Sequence, residues 1–413
     1  MEKISRRRML LTGGALGAVG ALGMATPAGA KTLWTWKPAG SVAATGTGAD
    51  PHWVWDDETD PLVASLLDRG DVPRVNQLLR GWTTNAQALP AGLPADVRAY
   101  VEEARKLPSW ADPAKLDKAT AFYKKRGLYL GLTYGFGSGM MSTAIPNEAR
   151  AVYYSKGGAD MRDRITKTAK LGHDIGDLNA YKPGGDMIVT AVKTRMTHAA
   201  VRHLLPQSPQ WPVVNGQKPI PISQADIMVT WHSLATFANK TLVKWKLNIP
   251  QAEFDAYLHL WQVTAHMLGV KDEYIPNSWA EAGAQSAQVL DPILQATPEG
   301  VELAEILLEL ASLDLNGDGR SLLRPPLHAL TRYMLGDRVT DSLQIPREPF
   351  WDGAVKTFWP LFVAIREGAV LFVPPDVFWA FDEILRTGVL FYLGEAQNIF
   401  IEMPTANRTT FPS

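Results

Sequence analysis

The chain of 413 residues contains no cysteine. That single absence excludes thiolate catalysis, cysteine-ligated zinc, iron–sulfur clusters, disulfides and thioether-linked haem. It also lacks an uninterrupted apolar run of membrane-spanning length: in TFWPLFVAIREGAVLFVPPDVFWAFDEILRTGVLFYL, Arg366, Glu367, Pro374, Pro375 and Asp376 break the stretch. That region reads as a pair of buried helices, part of which could line a greasy passage. Charge of one sign is scarce too. Without Lys3, Arg6, Arg7, Arg8 and Glu2, 37 basic residues face 41 acidic ones, a net charge of −4. Such a balance gives no electrostatic reason to bind nucleic acid. No G-x-S-x-G signals a serine hydrolase, and no alternating strands or sandwich-spaced turns occur. What this protein binds, it binds through nitrogen, oxygen or shape.

Residues 1–30 begin with Ser5-Arg6-Arg7-Arg8-Met9-Leu10, continue through an apolar stretch to Met24 and end in Ala28-Gly29-Ala30. This is the pattern of a twin-arginine signal peptide, which directs folded proteins to the twin-arginine export machinery and hence outside the cell. Residues 31–60 are Trp- and Gly-rich and aperiodic, an irregular N-terminal arm. Residues 61–413 read as one α-helical domain with no transmembrane segment. Asp112-Pro113 and Thr297-Pro298 are helix starts, a capping side chain followed by proline in the first turn. After Thr297-Pro298, Val301, Ile306, Leu307 and Leu310 form the expected apolar stripe.

Three segments carry candidate chemistry. In LYLGLTYGFGSGMM, Gly131, Gly135 and Gly139 recur every four residues, a flat helical strip for another helix or a planar cofactor; no strand precedes it, so it is not a phosphate loop. In MRDRITKTAKLGHDIG, Arg164, Lys167 and Thr168 share a helix face. In VKTRMTHAAVRHLL, Arg195, His198 and Arg202 share another. Pro183-Gly184-Gly185 breaks the pattern between the last two segments, so two helices could sandwich one plane. An iron porphyrin suits that gap: His198 would be the axial ligand, and Arg195 and Arg202 would hold the propionates. Lys167, deprotonated by burial near Arg164, would be a weak, replaceable sixth ligand. A solvated basic face and a packed core histidine remain open alternatives for these residues. Asp255, His259, Gln262 and His266 share a face but read as a polar seam, and His232 as a hydrogen-bonded core histidine. Asp314, Asn316, Asp318 and Gly319 mimic a calcium loop, but Pro325 stands at the bidentate glutamate position, so a surface turn is expected.

Taken in order, the signal, RITKTAKLGHDI, VKTRMTHAAVRHLL and QADIMVTWHSLATF resemble the latex clearing proteins, secreted rubber oxygenases of actinobacteria, over essentially the whole mature chain. The resemblance implies an all-α fold, a globin-like haem-binding core with additional helices. It implies one non-covalent haem b per chain and dioxygen-dependent cleavage of the cis-1,4 double bonds of polyisoprene to oligo-isoprenoids with aldehyde and ketone ends. By resemblance, His198 is the proximal iron ligand and Lys167 the distal ligand of a closed state. Arg164 and Thr168 line the distal pocket, and Glu148 is a base near the substrate. By its position after Pro146, Glu148 also reads as an ordinary first-turn glutamate. A related haem oxygenase acting on a small terpenoid and a non-catalytic oxygen-binding haem protein are the competing functions.

Overall fold

The computed structural model describes residues 34–155, 161–215, 220–312, 321–369, 382 and 399–407, with the side chains of residues 161–165 and 369 excluded. The leader, the calcium-like loop and most of the apolar C-terminal stretch therefore lie outside the described residues. Two compact units divide the chain, Met1–Trp34 and Thr35–Ser413; the account below concerns the second. Among the described residues there is no β-strand, only isolated bridges at Ser41–Pro276 and Ser155–Asn407. The fold is all-α, and no described helix is long and apolar enough to cross a membrane.

From Thr35 to Thr59 the backbone is irregular apart from single turns at Pro38–Gly40 and Pro51–Trp53. Helices α1 (Asp60–Asp68), α2 (Val72–Leu79) and α3 (Ala95–Ala104) follow. Next come α4 (Pro113–Lys125), α5 (Gly127–Leu132), a π-helical stretch (Thr133–Gly139), α6 (Met140–Thr143) and α7 (Pro146–Tyr154). The centre holds α8 (Met161–Asp174), α9 (Met187–Leu204), α10 (Trp211–Val214) and α11 (Gln224–Trp231). A second π-helical turn (His232–Thr236) leads into α12 (Phe237–Lys244), then α13 (Gln251–Met267) and α14 (Trp279–Val289). Last are α15 (Pro298–Ala311), α16 (Arg324–Leu335), α17 (Asp337–Ser342) and α18 (Pro349–Ala364).

The caps explain several boundaries. Asp112 accepts from the backbone N–H groups of Ala114 and Lys115, with Pro113 in the first turn, so α4 starts where the sequence indicates. Thr297 does the same for α15 through Gly300 N–H. The inward face of α15 differs from the expected stripe: Gly300, Leu303, Ala304 and Leu308 are buried, while Val301, Ile306, Leu307 and Leu310 are half-buried. Gly300 sets this rotation. A Cβ there would stand 2.0 Å from the carbonyl oxygen of Thr143, so the glycine must face α6 for the two helices to meet this closely.

The core is built on α9 and α13, each with a long buried face, and they pack on each other; α9 also packs on α1 and α13 on α4. The described part of the apolar C-terminal stretch corrects the expectation of a buried helix. On α18, Phe350, Phe358, Leu361 and Phe362 are exposed, and only Val363 is buried. Trp359 anchors the opposite side, 4.8 Å from Trp245 and 6.4 Å from Tyr129 between ring centroids. Apolar content alone does not distinguish a helix sunk in the core from one that packs along a single line.

Candidate active site

Helices α8 and α9 are neighbours across the loop that Pro183-Gly184-Gly185 interrupts, as their sequences suggest. A polar clasp fixes one end of the pair. Asp174, at the last residue of α8 and 3 % exposed, accepts from Thr190 Oγ1 at 2.6 Å and from Lys170 Nζ at 2.6 Å; Lys170 also reaches Asp186 at 3.0 Å. Burial works against both ions, but a hydrogen bond from His173, together with Lys170 and Thr190, keeps the Asp174 carboxyl below its usual range, and Asp174 and Asp186 raise Lys170.

This clasp sets the register. Lys167 lies seven residues before Asp174, about 10.5 Å along α8 and nearly on the same helical line. His198 lies eight residues beyond Thr190, about 12 Å along α9. Counted along each helix from the clasp, the amine-bearing and imidazole-bearing residues are separated from it by similar lengths. Lys167 and His198 are half-buried, and Thr168 is exposed. Arg164 is within α8, its side chain outside the described residues. Directly after His198, Ala199 and Ala200 are buried on other faces of α9.

Arg195 and Arg202 require a correction. Both are buried on α9, and both are committed to carboxylates of the N-terminal arm and α1 rather than directed toward an anionic ligand. Arg195 donates from Nε and Nη2 to Asp56 at 2.6 and 2.8 Å, and from Nη2 to Glu58 at 2.7 Å. Arg202 donates to Asp60 at 2.7 Å and to the Ile222 carbonyl at 3.1 Å. Guanidinium groups this deeply buried need local counter-charges, and these acids supply them. The expected hold on propionates is therefore replaced by a hold on the arm.

Glu148 stands at the third position of α7, after Pro146, so first-turn placement is part of its description. It is not an ordinary surface glutamate. Burial pushes its carboxyl up to about 8, with Asp226 adding repulsion, against a hydrogen bond from Thr230 Oγ1 at 2.5 Å. Thr230 and Asp226 belong to α11, whose start is fixed by a reciprocal cap between Ser223 and Asp226. A carboxyl held this high is mostly protonated at neutral pH, which is the behaviour of a group tuned for proton exchange.

The glycine strip lies on α5 and the π-helical stretch. A Cβ at Gly131 or Gly135 would meet no neighbouring heavy atom within 4 Å, whereas at Gly137 it would strike the Phe237 ring at 2.2 Å. Gly137 lies outside the strip; of the strip itself, Gly131 and Gly135 border open space, and a Cβ at Gly139 would stand 3.2 Å from the Tyr134 carbonyl oxygen. Beside them, Tyr123, Tyr134 and Tyr257 form a chain of phenol hydrogen bonds at 2.6 and 2.8 Å. Neither these tyrosines nor Asp56 and Thr230 stand out by sequence spacing. Thr230 does lie within QADIMVTWHSLATF, and Asp56 within the acid-rich WVWDDETD.

His232, His259 and His266 are each engaged by protein groups. His232 is fully buried, accepting from Thr236 at Nδ1 and donating to Gln285 at Nε2, each at 2.8 Å; burial lowers its pKa to about 3 and keeps it neutral. His259 Nε2 accepts from Asp112 N–H at 2.8 Å, and His266 pairs with Asp272 at 2.7 Å. Among the described residues no group of three or more His, Cys, Asp or Glu side chains could hold a metal ion.

The sequence model of the family described as "ER-bound oxygenase mpaB/B'/Rubber oxygenase, catalytic domain" matches residues 125–366, which include Glu148, Arg164, Lys167, Thr168, Arg195, His198 and Arg202. The "Rubber oxygenase" of Streptomyces sp. (strain K30) is 59 % identical over 410 residues, covering 99 % of this chain and 100 % of that protein. The solved structure of latex clearing protein in its closed state aligns with a TM-score of 0.81 and 57 % identity, over 90 % of this chain and 99 % of the other.

Proposed function

The chain belongs to the rubber oxygenase family, and from that membership we propose that it cleaves the cis-1,4 double bonds of polyisoprene with dioxygen, releasing oligo-isoprenoids with aldehyde and ketone ends. The observation that carries this reading is the end-to-end likeness to a rubber oxygenase; that Lys167 and His198 lie on neighbouring helices supports it. We propose further that the site takes one non-covalent haem b in a globin-like arrangement of helices. The residues fit such a group. A half-buried imidazole on α9, a half-buried amine on the neighbouring α8 and two glycines bordering open space would suit a flat macrocycle that takes nitrogen ligands. With no cysteine, attachment through thioether bonds is impossible.

Bound haem would supply the oxidation chemistry, and the chain would supply position and proton control. His198 would hold the iron on one side. Lys167 would occupy the opposite side in a closed state, and its withdrawal would open that side to dioxygen. Arg164 and Thr168 would border the same side. Glu148, with its carboxyl buried and bonded to Thr230, would take an allylic proton from the substrate or orient it. Because its proton is held until about pH 8, it would act as a base through its minority ionised form. Residues 1–30 would direct export of the folded, loaded protein by the twin-arginine route. Residues 31–60 would then form the arm of a single domain running to residue 413, acting on rubber outside the cell.

The test is the absorption spectrum of purified wild-type protein and His198→Ala, with a pyridine haemochrome assay and oxygen uptake on latex. A b-type Soret band that is lost or strongly shifted in the variant, with latex-dependent uptake by wild type alone, is expected. Folded wild-type protein without haem overturns the cofactor assignment. A haem spectrum unchanged by the substitution moves the ligand elsewhere.

A further inference from the structure

Arg195 and Arg202 are separated by seven residues, so they fall on one line along α9, about 10.5 Å apart. His198 lies between their levels and about 60° around the helix from that line. Each guanidinium is gripped by acids from the segment Asp56 to Asp60. A helix gripped at two points two turns apart can neither slide nor turn about its axis without breaking a grip. A slip of one residue would move the imidazole by about 1.5 Å along the axis and 100° around it.

Asp56 is central to this grip. It is 2 % exposed, receives two hydrogen bonds from Arg195 and lies 3.8 Å from Arg202, so its charge serves both grips. Its own backbone fixes the carboxylate, because Oδ1 also accepts from the N–H groups of Glu58 and Thr59 at 3.3 and 3.2 Å. Gly269, just beyond α13, closes the site from the other side. A Cβ there would come within 2.5 Å of Asp56 Oδ2 and 2.6 Å of Arg195 Nε, and its φ of +88° suits glycine. Gln224 of α11 donates to the Gly269 carbonyl at 2.9 Å, and Tyr100 of α3 lies under the Arg195 guanidinium. The arm, α3, α9, α11 and the end of α13 thus meet at one buried ion pair.

We propose that Asp56 is a positioning residue for His198: the N-terminal arm, through this carboxylate, sets the axial and rotational position of the helix that presents the imidazole. The proposal rests on His198 as haem ligand. Residues that orient a ligand from behind characteristically alter affinity by 10–100-fold when removed.

The test compares holoprotein from wild type, Asp56→Asn, Asp56→Glu and Leu308→Ala, the last a core truncation between α15 and its neighbours, remote from α9 in the chain. The readouts are the ferric Soret position, the ratio of high-spin to low-spin signals in electron paramagnetic resonance, and the rate of haem transfer to apomyoglobin. Asp56→Asn is expected to shift the spin-state ratio and to release haem about tenfold faster or more. Asp56→Glu should recover part of both, and Leu308→Ala should lower the melting temperature with a wild-type spectrum. If Asp56→Asn does not fold, Asp60→Asn, at the rim of the same grip, should give a smaller shift in the same direction. Wild-type spectra and release rates in the folded asparagine variants overturn the positioning role and leave the ligand assignment intact. A wild-type spectrum in His198→Ala overturns the ligand and the positioning role together. Equal spectral changes in Leu308→Ala would reduce Asp56 to a general stabiliser and also overturn the proposal.

Discussion

Replacing Glu148 with glutamine isolates the consequence of burying a carboxyl beside Asp226. The folded pKa of about 8 exceeds the ordinary 4.5 because burial penalises the charge more than the Thr230 hydrogen bond relieves it. Between those two values the native protein holds a proton that the unfolded chain has released, so stability must fall as pH rises. The contribution is favourable below about pH 4.5, declines steadily and is lost beyond about pH 8. At 1.36 kcal/mol per unit, the ceiling is about 5 kcal/mol. Glu148 keeps some accessible surface, which screens the charge, so about 2–3 kcal/mol is the realistic share. Glutamine keeps the shape and an oxygen for Thr230 but does not ionise. Urea unfolding of both proteins at pH 5 and pH 9 reads the difference directly. The variant should gain about 2–3 kcal/mol on wild type between those pH values. The pH–rate profile follows from the same pKa: oxygen uptake on latex should rise through pH 8 in wild type, and the variant should lose that limb. Parallel stability curves at the two pH values would refute the burial argument, and a wild-type rate that falls through pH 8 would make Glu148 a proton donor rather than a base.

Two further substitutions probe the frame around the site. Gly300→Ala puts a methyl 2.0 Å from a backbone carbonyl that no rotamer change can move. It should cost about 1–3 kcal/mol by thermal unfolding, and an unchanged melting temperature would show that α15 and α6 part freely. His232→Gln removes the fully buried imidazole whose pKa is lowered to about 3. From pH 6.5 down toward 3 the unfolded chain takes up a proton that the native imidazole refuses, so wild type loses stability as pH falls. The variant, whatever its stability at pH 7, should show a flatter acid limb in unfolding titrations. Identical slopes would mean that His232 protonates in the native state.

The sequence made the local features of the fold legible because they depend on neighbours in the chain. The caps at Asp112 and Thr297 involve residues within three positions, and both helices begin where those signals lie. The break at Pro183-Gly184-Gly185 likewise separated α8 from α9. The inward face of α15 was misjudged because Gly300 carries no hydrophobic signal. Its burial is dictated by the carbonyl of Thr143, 157 positions earlier in the chain. Glu148 was a candidate by resemblance, but its raised pKa comes from burial and from the charge of Asp226, brought to it by a helix far along the chain.

The two arginines show most clearly where spacing stops informing. Periodicity gives the direction in which a side chain leaves its helix, and Arg195, His198 and Arg202 do lie along one side of α9. It does not identify the anion that awaits a cation. Two buried guanidinium groups require negative partners, and a ligand carboxylate or a protein carboxylate meets that need equally well. The deciding clue was elsewhere in the chain. WVWDDETD places four acids in five residues within a Trp- and Gly-rich arm. Acids in such company are either fully solvated or matched to buried cations. Here Asp57, Glu58 and Asp60 keep more of their surface in water, whereas Asp56 is nearly sealed against Arg195. An acid cluster in one irregular segment and a basic helix in another should therefore be weighed as partners before either is assigned to a cofactor. For α9 that reasoning leaves His198 as its ligand candidate and gives the arginines the task of holding it still.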